Sequence, residues 1–380
     1  MIYFDNSATT KPFQDVIDSY VKVAQTFFGN PSSLHALGAQ SEKLLMQGRR
    51  QMAELLGVKE SEILFTSGGT EANNLAIKGA ALKHAKRGRH IISTAIEHPS
   101  VKEALEQLRT EFGFEITYAG ADEEGRVSAD EIIHAIRPDT ILVSVMHVNN
   151  ETGTIQPIEE IGQRLKAFPK VLFHVDHVQG AGKVNLDIHH AGISLLSISS
   201  HKFHGLKGSG ILYIRQGTAI SPLFSGGSQE ARLRSGTENV AGIVAMAKAL
   251  RMCRQLNSET ARLIGIRETI RAGLTAIQGV VINTPGDGIA PHILNFSVPG
   301  LKSEVLVHAL EEKQIYMSTT SACSSKRKAV SGTVLAMTKD EIRAGSTLRV
   351  SLSFQNTLEE AEVFLTEIKS AIYKLQEVTR

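Results

Sequence analysis

The sequence predicts an α/β protein: a large domain built on a mainly parallel sheet, followed by a smaller α+β domain. Three observations predict it. Short apolar runs alternate with helical stretches over about 200 residues, the pattern of strand–helix units. Glycine-rich and polar motifs follow those runs, where such sheets place their ligands, beyond the carboxyl ends of the strands. The chain has 380 residues, 42% hydrophobic and 21% charged, enough for a full core and more than one domain.

Each element follows in order. Leu34, Leu37, Leu44, Leu45, Met52, Leu55 and Leu56 have helical spacing, which predicts a helix from Ser32 to Leu56 that stops at Gly57. Ile63-Leu64-Phe65 reads as a strand, Ser67-Gly68-Gly69 as a turn, and a helix starts near Thr70. Ile91-Ile92-Ser93 is a strand, and Pro99-Ser100 opens another helix. The runs Ile141 to Val145, Val171 to Val175, Ile193 to Ile198 and Gly210 to Ile214 complete the buried strands. A long helix after Thr237 leads to the second domain. There the alternating run Ile293 to Val298, a helix near Glu304 to Glu312, the run Leu348 to Leu352 and a final helix from Leu358 are expected. Neither an internal repeat nor a low-complexity stretch occurs.

Bulk properties exclude several functions. Net charge is +2 and no long block of one sign occurs, so direct nucleic acid binding has no electrostatic basis. No apolar stretch approaches the roughly 18 residues of a membrane span. The opening Met1-Ile2-Tyr3-Phe4-Asp5 lacks a basic region followed by an apolar run, so the expected location is cytoplasmic. Cys253 and Cys323 are the two cysteines, too few for a disulfide framework and without zinc-finger spacing.

Several segments carry chemistry. Phe65 to Asn73 joins a strand, a glycine turn and a helix start, where Gly69 and Thr70 suit an anion; an ordinary helix cap has the same signature. His174-Val175-Asp176-His177 ends a buried strand, and a carboxylate there needs a positive partner. A protonated ring nitrogen, a metal held with the nearby histidines, or satisfied structural groups all answer that need. Ser199-Ser200-His201-Lys202 ends another strand, and a lysine desolvated there becomes a nucleophilic amine; a surface lysine is the bland reading. Arg234-Ser235-Gly236-Thr237 again suits phosphate or a capped loop. Cys323 lies among small polar residues and is followed by Lys326, Arg327 and Lys328, whose potential favours thiolate. Cys253, on a helix, reads as packing. Arg349 on a strand suits a carboxylate clamp or a salt bridge.

Taken together and in order, these motifs resemble the cysteine desulfurases of the NifS/IscS type, in the class V aminotransferase superfamily of pyridoxal-phosphate enzymes. The resemblance rests on Tyr3 to Thr10, Gly29 to His35, Ser67 to Glu71, Glu97-His98, His147 to Glu151, Asp176 with Gln179, Ser199 to Lys202, Arg234 to Thr237 and Ser321 to Cys323, and spans essentially the whole chain.

It implies an aspartate-aminotransferase-like fold, with residues 13–257 as the large domain and residues 1–12 and 258–380 as the small one. It implies pyridoxal 5′-phosphate as cofactor, no metal, L-cysteine as substrate and a homodimer. Lys202 would join the cofactor aldehyde and move the substrate proton. Asp176 would pair with the ring nitrogen, Gln179 with the ring oxygen, and His98 would stack on the ring and shuttle protons. Gly69, Thr70, Ser199, His201 and Thr237, the last from the second subunit, would hold the phosphate. Asn150 would touch cofactor or substrate, Arg349 the substrate carboxylate, and Cys323 would accept sulfur before an iron–sulfur scaffold or tRNA-thiolating enzyme. An aminotransferase or selenocysteine lyase of the same superfamily is the alternative. The chain departs from the family pattern at His177, where a small residue is expected, and in the basic stretch after Cys323.

Overall fold

The computed structural model describes residues 1–319 and 330–379. It opens with a two-residue strand, β1 (Ile2–Tyr3), and helices α1 (Gln14–Thr26) and α2 (Ala36–Leu56). α2 starts at Ala36 rather than Ser32 because the His35 ring caps it, Nδ1 accepting the Gly38 N–H at 3.2 Å. Gly57 ends it in the left-handed region at φ 69°, which costs a residue without Cβ little.

A strand–helix alternation follows. β2 (Ile63–Thr66) leads to α3 (Gly69–His84), β3 (His90–Thr94) to α4 (Pro99–Phe112), and β4 (Glu115–Ala119) to α5 (Ala129–His134). β5 (Thr140–Met146) leads to α6 (Ile158–Leu165), and β6 (Leu172–Asp176), β7 (Leu195–Ser199) and β8 (Gly210–Ile214) precede α7 (Val240–Gln255). β4 has no apolar run to announce it: it is the edge strand, mostly open to solvent, so its residues need not be hydrophobic.

These seven strands form one sheet in the order β2-β8-β7-β6-β5-β3-β4. β4, β3, β5, β6 and β7 are parallel. β8 opposes β7, and β2 opposes β8, so β2 points the same way as the five. One face carries Val143, Val145, Phe173, Val175, Leu196 and Ile198 against α1, α2, α6 and α7. The other packs on the alanine-rich α3 and on α4, through Ala72, Ala76, Ala80, Val101 and Leu105. Helices on both faces leave only the sheet's ends for chemistry, and six of its seven strands release their carboxyl ends at the same end.

The rest of the chain builds a second layer. α8 (Thr260–Thr275), β9 (Val281–Ile282), β10 (Ile293–Ser297), α9 (Ser303–Glu311), β11 (Ile315–Tyr316) and β12 (Ser318–Thr319) come first. α10 (Gly332–Thr338), α11 (Glu341–Gly345), β13 (Thr347–Ser351) and α12 (Leu358–Thr379) follow. An antiparallel sheet, β12-β13-β10-β9, packs on α8, α9 and α12 around Phe296, Leu348, Val350 and Phe364. The polar members of the alternating β10 run are buried as well: Asn283 Nδ2 donates to Asn295 Oδ1 at 2.7 Å and to Ser297 Oγ at 2.8 Å. β1 pairs with β11, which carries the N-terminal residues across from the second layer to the first.

Arg49 on α2 holds the β2 strand from outside. It pairs with Glu230, whose other oxygen accepts the Phe65 N–H at 2.9 Å, and its guanidinium lies 4.7 Å from the Phe65 ring centre. The Glu230 side chain is 3% exposed, so Arg49→Met strands a buried charge. Arg49→Met is expected to destabilise the fold by about 3 kcal/mol, read as a lower denaturant midpoint at unchanged slope.

Candidate active site

The strand ends deliver the predicted groups to one place. Asp176 closes β6 and is 5% exposed. Its Oδ1 accepts the Val178 N–H at 2.9 Å and its Oδ2 accepts from Asn73 Nδ2 of α3 at 2.7 Å. Lys202 sits in the single turn of 3₁₀-helix, Ser200 to Lys202, that follows β7. Its Nζ donates to the Ser7 carbonyl at 2.5 Å and the Ala8 carbonyl at 2.9 Å. Gln179 Nε2 donates to the same Ser7 carbonyl at 3.0 Å. The amine of one strand end and the amide three residues past the carboxylate of the next therefore meet on one oxygen.

A chain of hydrogen bonds runs from Asp176 to His98, the cap of α4. Asn73 Nδ2 donates to Ser100 Oγ at 2.9 Å, which leaves the hydroxyl proton for His98 Nδ1 at 2.8 Å. The Ser100 N–H also donates to that Nδ1, at 3.1 Å. With Nδ1 accepting twice, the ring proton belongs on Nε2. Burial pushes the His98 pKa down, Asp176 opposes this, and Lys202, Arg349 and Lys102 reinforce it. The ring is thus held neutral near a carboxylate and three cations.

The glycine turn has the shape of a cradle. A Cβ on Gly69 would lie 2.8 Å from Val178 Cγ2 and 3.3 Å from Ser199 Cβ, so only glycine lets α3 begin this close to the ends of β6 and β7. The first N–H groups of the helix, the exposed Thr70, Ser199 and the half-buried His201 border this turn or the neighbouring strand end. Burial and the adjacent lysines push His201 down to about 4, so it is a neutral hydrogen-bonding group. Arg234 ties the next segment in: Nε donates to Glu71 Oε1 at 2.9 Å, while Ser67 N donates to Glu71 Oε2. Thr237 is exposed and lines a cavity of about 110 Å³ with Thr66, Ser67 and Arg234.

Arg349, buried in β13, faces the site from the second layer. Its Nη1 donates to the Asn150 carbonyl at 2.7 Å, and Nη2 donates to Ser318 Oγ at 2.9 Å and Asp5 Oδ1 at 3.2 Å. Its buried Nε has no partner among the described residues. Cys323, with Lys326, Arg327 and Lys328, lies outside the described residues. The segments on either side of that stretch reach the site: Ser318 bonds Arg349, while Ser331 and Thr333 donate to the carboxylate of Glu151, next to Asn150.

The residues fit the group that the sequence resemblance implies. Gln179 Oε1 is buried and unpartnered among the described residues, and its amide retains a second N–H for a ligand. Asp176 can hold a cationic ring nitrogen, Lys202 can reach an aldehyde, and the Gly69 turn can take an anionic end. The histidines divide differently. His174 spends both nitrogens on Ser144 Oγ at 2.8 Å and Ser197 Oγ at 3.0 Å, a structural role. His147 and His177 share a 2.8 Å Nδ1–Nδ1 hydrogen bond in the core. No three His, Cys, Asp or Glu side chains converge as a metal set would among the described residues.

Sequence reasoning missed Asn73, Ser7 and Ser100. Asn73 was discoverable as a polar side chain on the buried face of an alanine-rich helix. The Ser7 carbonyl carries no signal, since every residue has one.

The family of class-V aminotransferases matches residues 2–364. A NifS/IcsS protein homolog of Lactobacillus delbrueckii subsp. bulgaricus is 48% identical over 96% of this chain and 95% of its own length. A cysteine desulfurase IscS of Dictyoglomus turgidum is 40% identical over 100% of this chain and 96% of its own. A solved NifS-like protein superposes with a TM-score of 0.91 at 38% identity, covering 97% of this chain and 98% of that one.

Glu97, next to His98, yields a pH prediction. Its Oε1 accepts from Thr94 Oγ1 at 2.7 Å and Met146 N at 2.9 Å, and burial, with Asp176 nearby, pushes its pKa up to about 8. The native state then holds a proton that the unfolded chain has lost, so stability falls as pH rises from about 4.5 to about 8. Glu97→Gln keeps both bonds and removes the titration. Thermal melts across that range are expected to show the variant gaining on the parent as pH rises and levelling off above pH 8.

Proposed function

This chain belongs to the class-V aminotransferase family, and we propose from that premise how it takes sulfur from L-cysteine with pyridoxal 5′-phosphate. It is a pyridoxal-phosphate-dependent cysteine desulfurase, releasing L-alanine. The observation that carries the residue assignment is the meeting of Lys202 and Gln179 on the Ser7 carbonyl, with Asp176 three residues before that glutamine.

Asp176 would hold the ring nitrogen of the cofactor, and its bond from Asn73 keeps the carboxylate aimed. Gln179 would hydrogen-bond the ring oxygen, His98 would pack on the ring, and Gly69, Thr70, Ser199 and His201 would hold the phosphate. The chemistry that bound pyridoxal phosphate supplies is an electron sink for the substrate's α carbon. Arg349 binds the substrate carboxylate beside Asn150. Lys202 Nζ takes the α proton as general base and holds it for return. The Cys323 thiolate attacks the substrate sulfur: an S–S bond forms, the Cβ–S bond breaks, and the electron pair of that bond stays with the three-carbon fragment that leaves as alanine. Cysteine and a thiol become alanine and a persulfide, with no outside oxidant.

The finer reading has its own supports. The enzyme works in the cytoplasm as a homodimer in which Thr237 reaches the partner copy's phosphate site. Exposed Phe28 and Leu34 (71% and 104% exposed) favour a covered apolar surface, and Thr237 itself is exposed. The division into residues 13–257 and residues 1–12 with 258–380 accords with apolar cores on two separate sheets. The sulfur passes to an acceptor protein, an iron–sulfur scaffold or a tRNA-thiolating enzyme, whose acidic surface meets Lys326, Arg327 and Lys328.

Two variants test the scheme. Lys202→Ala should abolish alanine release and the borohydride-reducible bond to cofactor; alanine release at the parent rate would end it. Cys323→Ser should bind cofactor yet carry no persulfide, and a persulfide mapped to Cys253 in that variant would refute the assignment of the acceptor thiol.

A further inference from the structure

Three consecutive carbonyls at the Lys202 turn are each gripped by a different element. The His201 carbonyl accepts from Thr10 N and Thr10 Oγ1, both at 2.9 Å. The Lys202 carbonyl accepts from Lys183 Nζ at 2.6 Å. The Phe203 carbonyl accepts from Cys253 Sγ of α7 at 3.2 Å. The turn folds on the Ser200 carbonyl, which takes the Phe203 and Gly205 N–H groups, and these three contacts fasten it to neighbouring segments, which bears on where the Lys202 amine can reach.

Lys183 is the unusual member. It is 8% exposed, and a buried ammonium is costly unless something repays its desolvation. It stands at the end of a run of turns that begins at the carboxylate strand: Gly180 N and Ala181 N donate to the His177 carbonyl, and Lys183 N donates to the Gly180 carbonyl. One side chain thus links the turn after Asp176 to the turn that carries Lys202. We propose that Lys183 is a positioning residue for the reaction: it locks the Lys202 main chain in register with Asp176 and Gln179 without touching substrate or cofactor. The inference rests on the role given to Lys202 above.

The surroundings agree. Burial pushes the Lys183 pKa down to about 8, and among the described residues burial and the Cys253 thiol, not a carboxylate, are what act on it. The groups around it are the Cys253 thiol from α7, pushed up by burial to about 12 and therefore a protonated donor, and His201 and His204 of the Lys202 turn. His292, just before β10, also feels its charge, and His177 and Arg254 line the same small cavity. A purely structural role would be served more cheaply by an apolar side chain. A charge-assisted bond to the one carbonyl that belongs to Lys202 gives the ammonium a reason to be there.

The test compares Lys183→Met, Lys183→Gln and Lys183→Arg in the cofactor-loaded full chain. Lys183→Met is expected to lower kcat about tenfold or more with KM for cysteine within about twofold, since a small misplacement of a reacting group is felt in the chemical step. The pH midpoint of the visible cofactor band should shift, and amide exchange at Phe203 and Gly205, whose N–H groups bond the Ser200 carbonyl, should quicken. Lys183→Arg should restore all three. A Lys183→Met protein that melts earlier but keeps the parent kcat, midpoint and exchange would overturn the proposal. If that variant does not fold, Lys183→Gln read against Lys183→Arg decides in the same way, equal midpoints and equal kcat overturning it. A parent protein with no visible band would instead sink the role of Lys202, which separates the two failures.

Discussion

A carboxylate at the end of a fully buried strand constrains everything around it. Asp176 leaves β6 almost without solvent, so it must be met by donors on every side. Val178 supplies one from its own turn, and Asn73 reaches in from α3. Asn73 in turn orients Ser100, and Ser100 orients His98. A single buried charge therefore dictates the pose of α3, the start of α4 and the tautomer of a histidine. A cationic partner placed against the remaining face of that carboxylate would be bound strongly for the same reason.

The second constraint is the N-terminal segment. Residues 3 to 10 run between the two sheets and are tied to both. Ser7 N bonds Ser351 Oγ of β13 at 2.8 Å, while the Ser7 carbonyl takes Lys202 and Gln179 from the other layer. Asp5 pairs with Arg349, and Thr10 holds the His201 carbonyl. Arg349 and Lys202 thus belong to different layers but are referenced to the same eight-residue strip. Each side chain is thereby tethered at its charged end to that strip, which limits how far the two can move relative to one another.

Much of the site was legible because it follows strand ends. The runs ending at Phe65, Val175 and Ile198 are strongly apolar, so the polar residue after each stands out: Thr66-Ser67-Gly68, Asp176 and Ser199 to Lys202. The helix expected over Ser32 to Leu56 and the strand over Ile141 to Val145 were also legible, the first from spacing and the second from its apolar run, though the helix begins at Ala36 and the strand extends one residue at each end. Cys253 shows where the reading stopped short. Packing was expected, and it is buried, yet its thiol also donates to the Phe203 carbonyl. His177 stood out as a departure, and the structure gives it a neighbour, His147, that no local pattern could supply.

The chain's own order determined the element types, the sheet-forming runs and the kinds of chemistry at their ends, because those follow from periodicities of a few residues and from what a buried terminus tolerates. The tertiary structure alone decided which groups touch. Asp176 meets Asn73 across 103 residues, Lys202 meets Ser7 across 195, and Arg349 meets Asn150 across 199. Such pairs depend on how two layers stack and how strands cross over. Lys183 and Lys202 are only 19 residues apart, but even their contact requires β7 to pass between them and return its turn to the same edge.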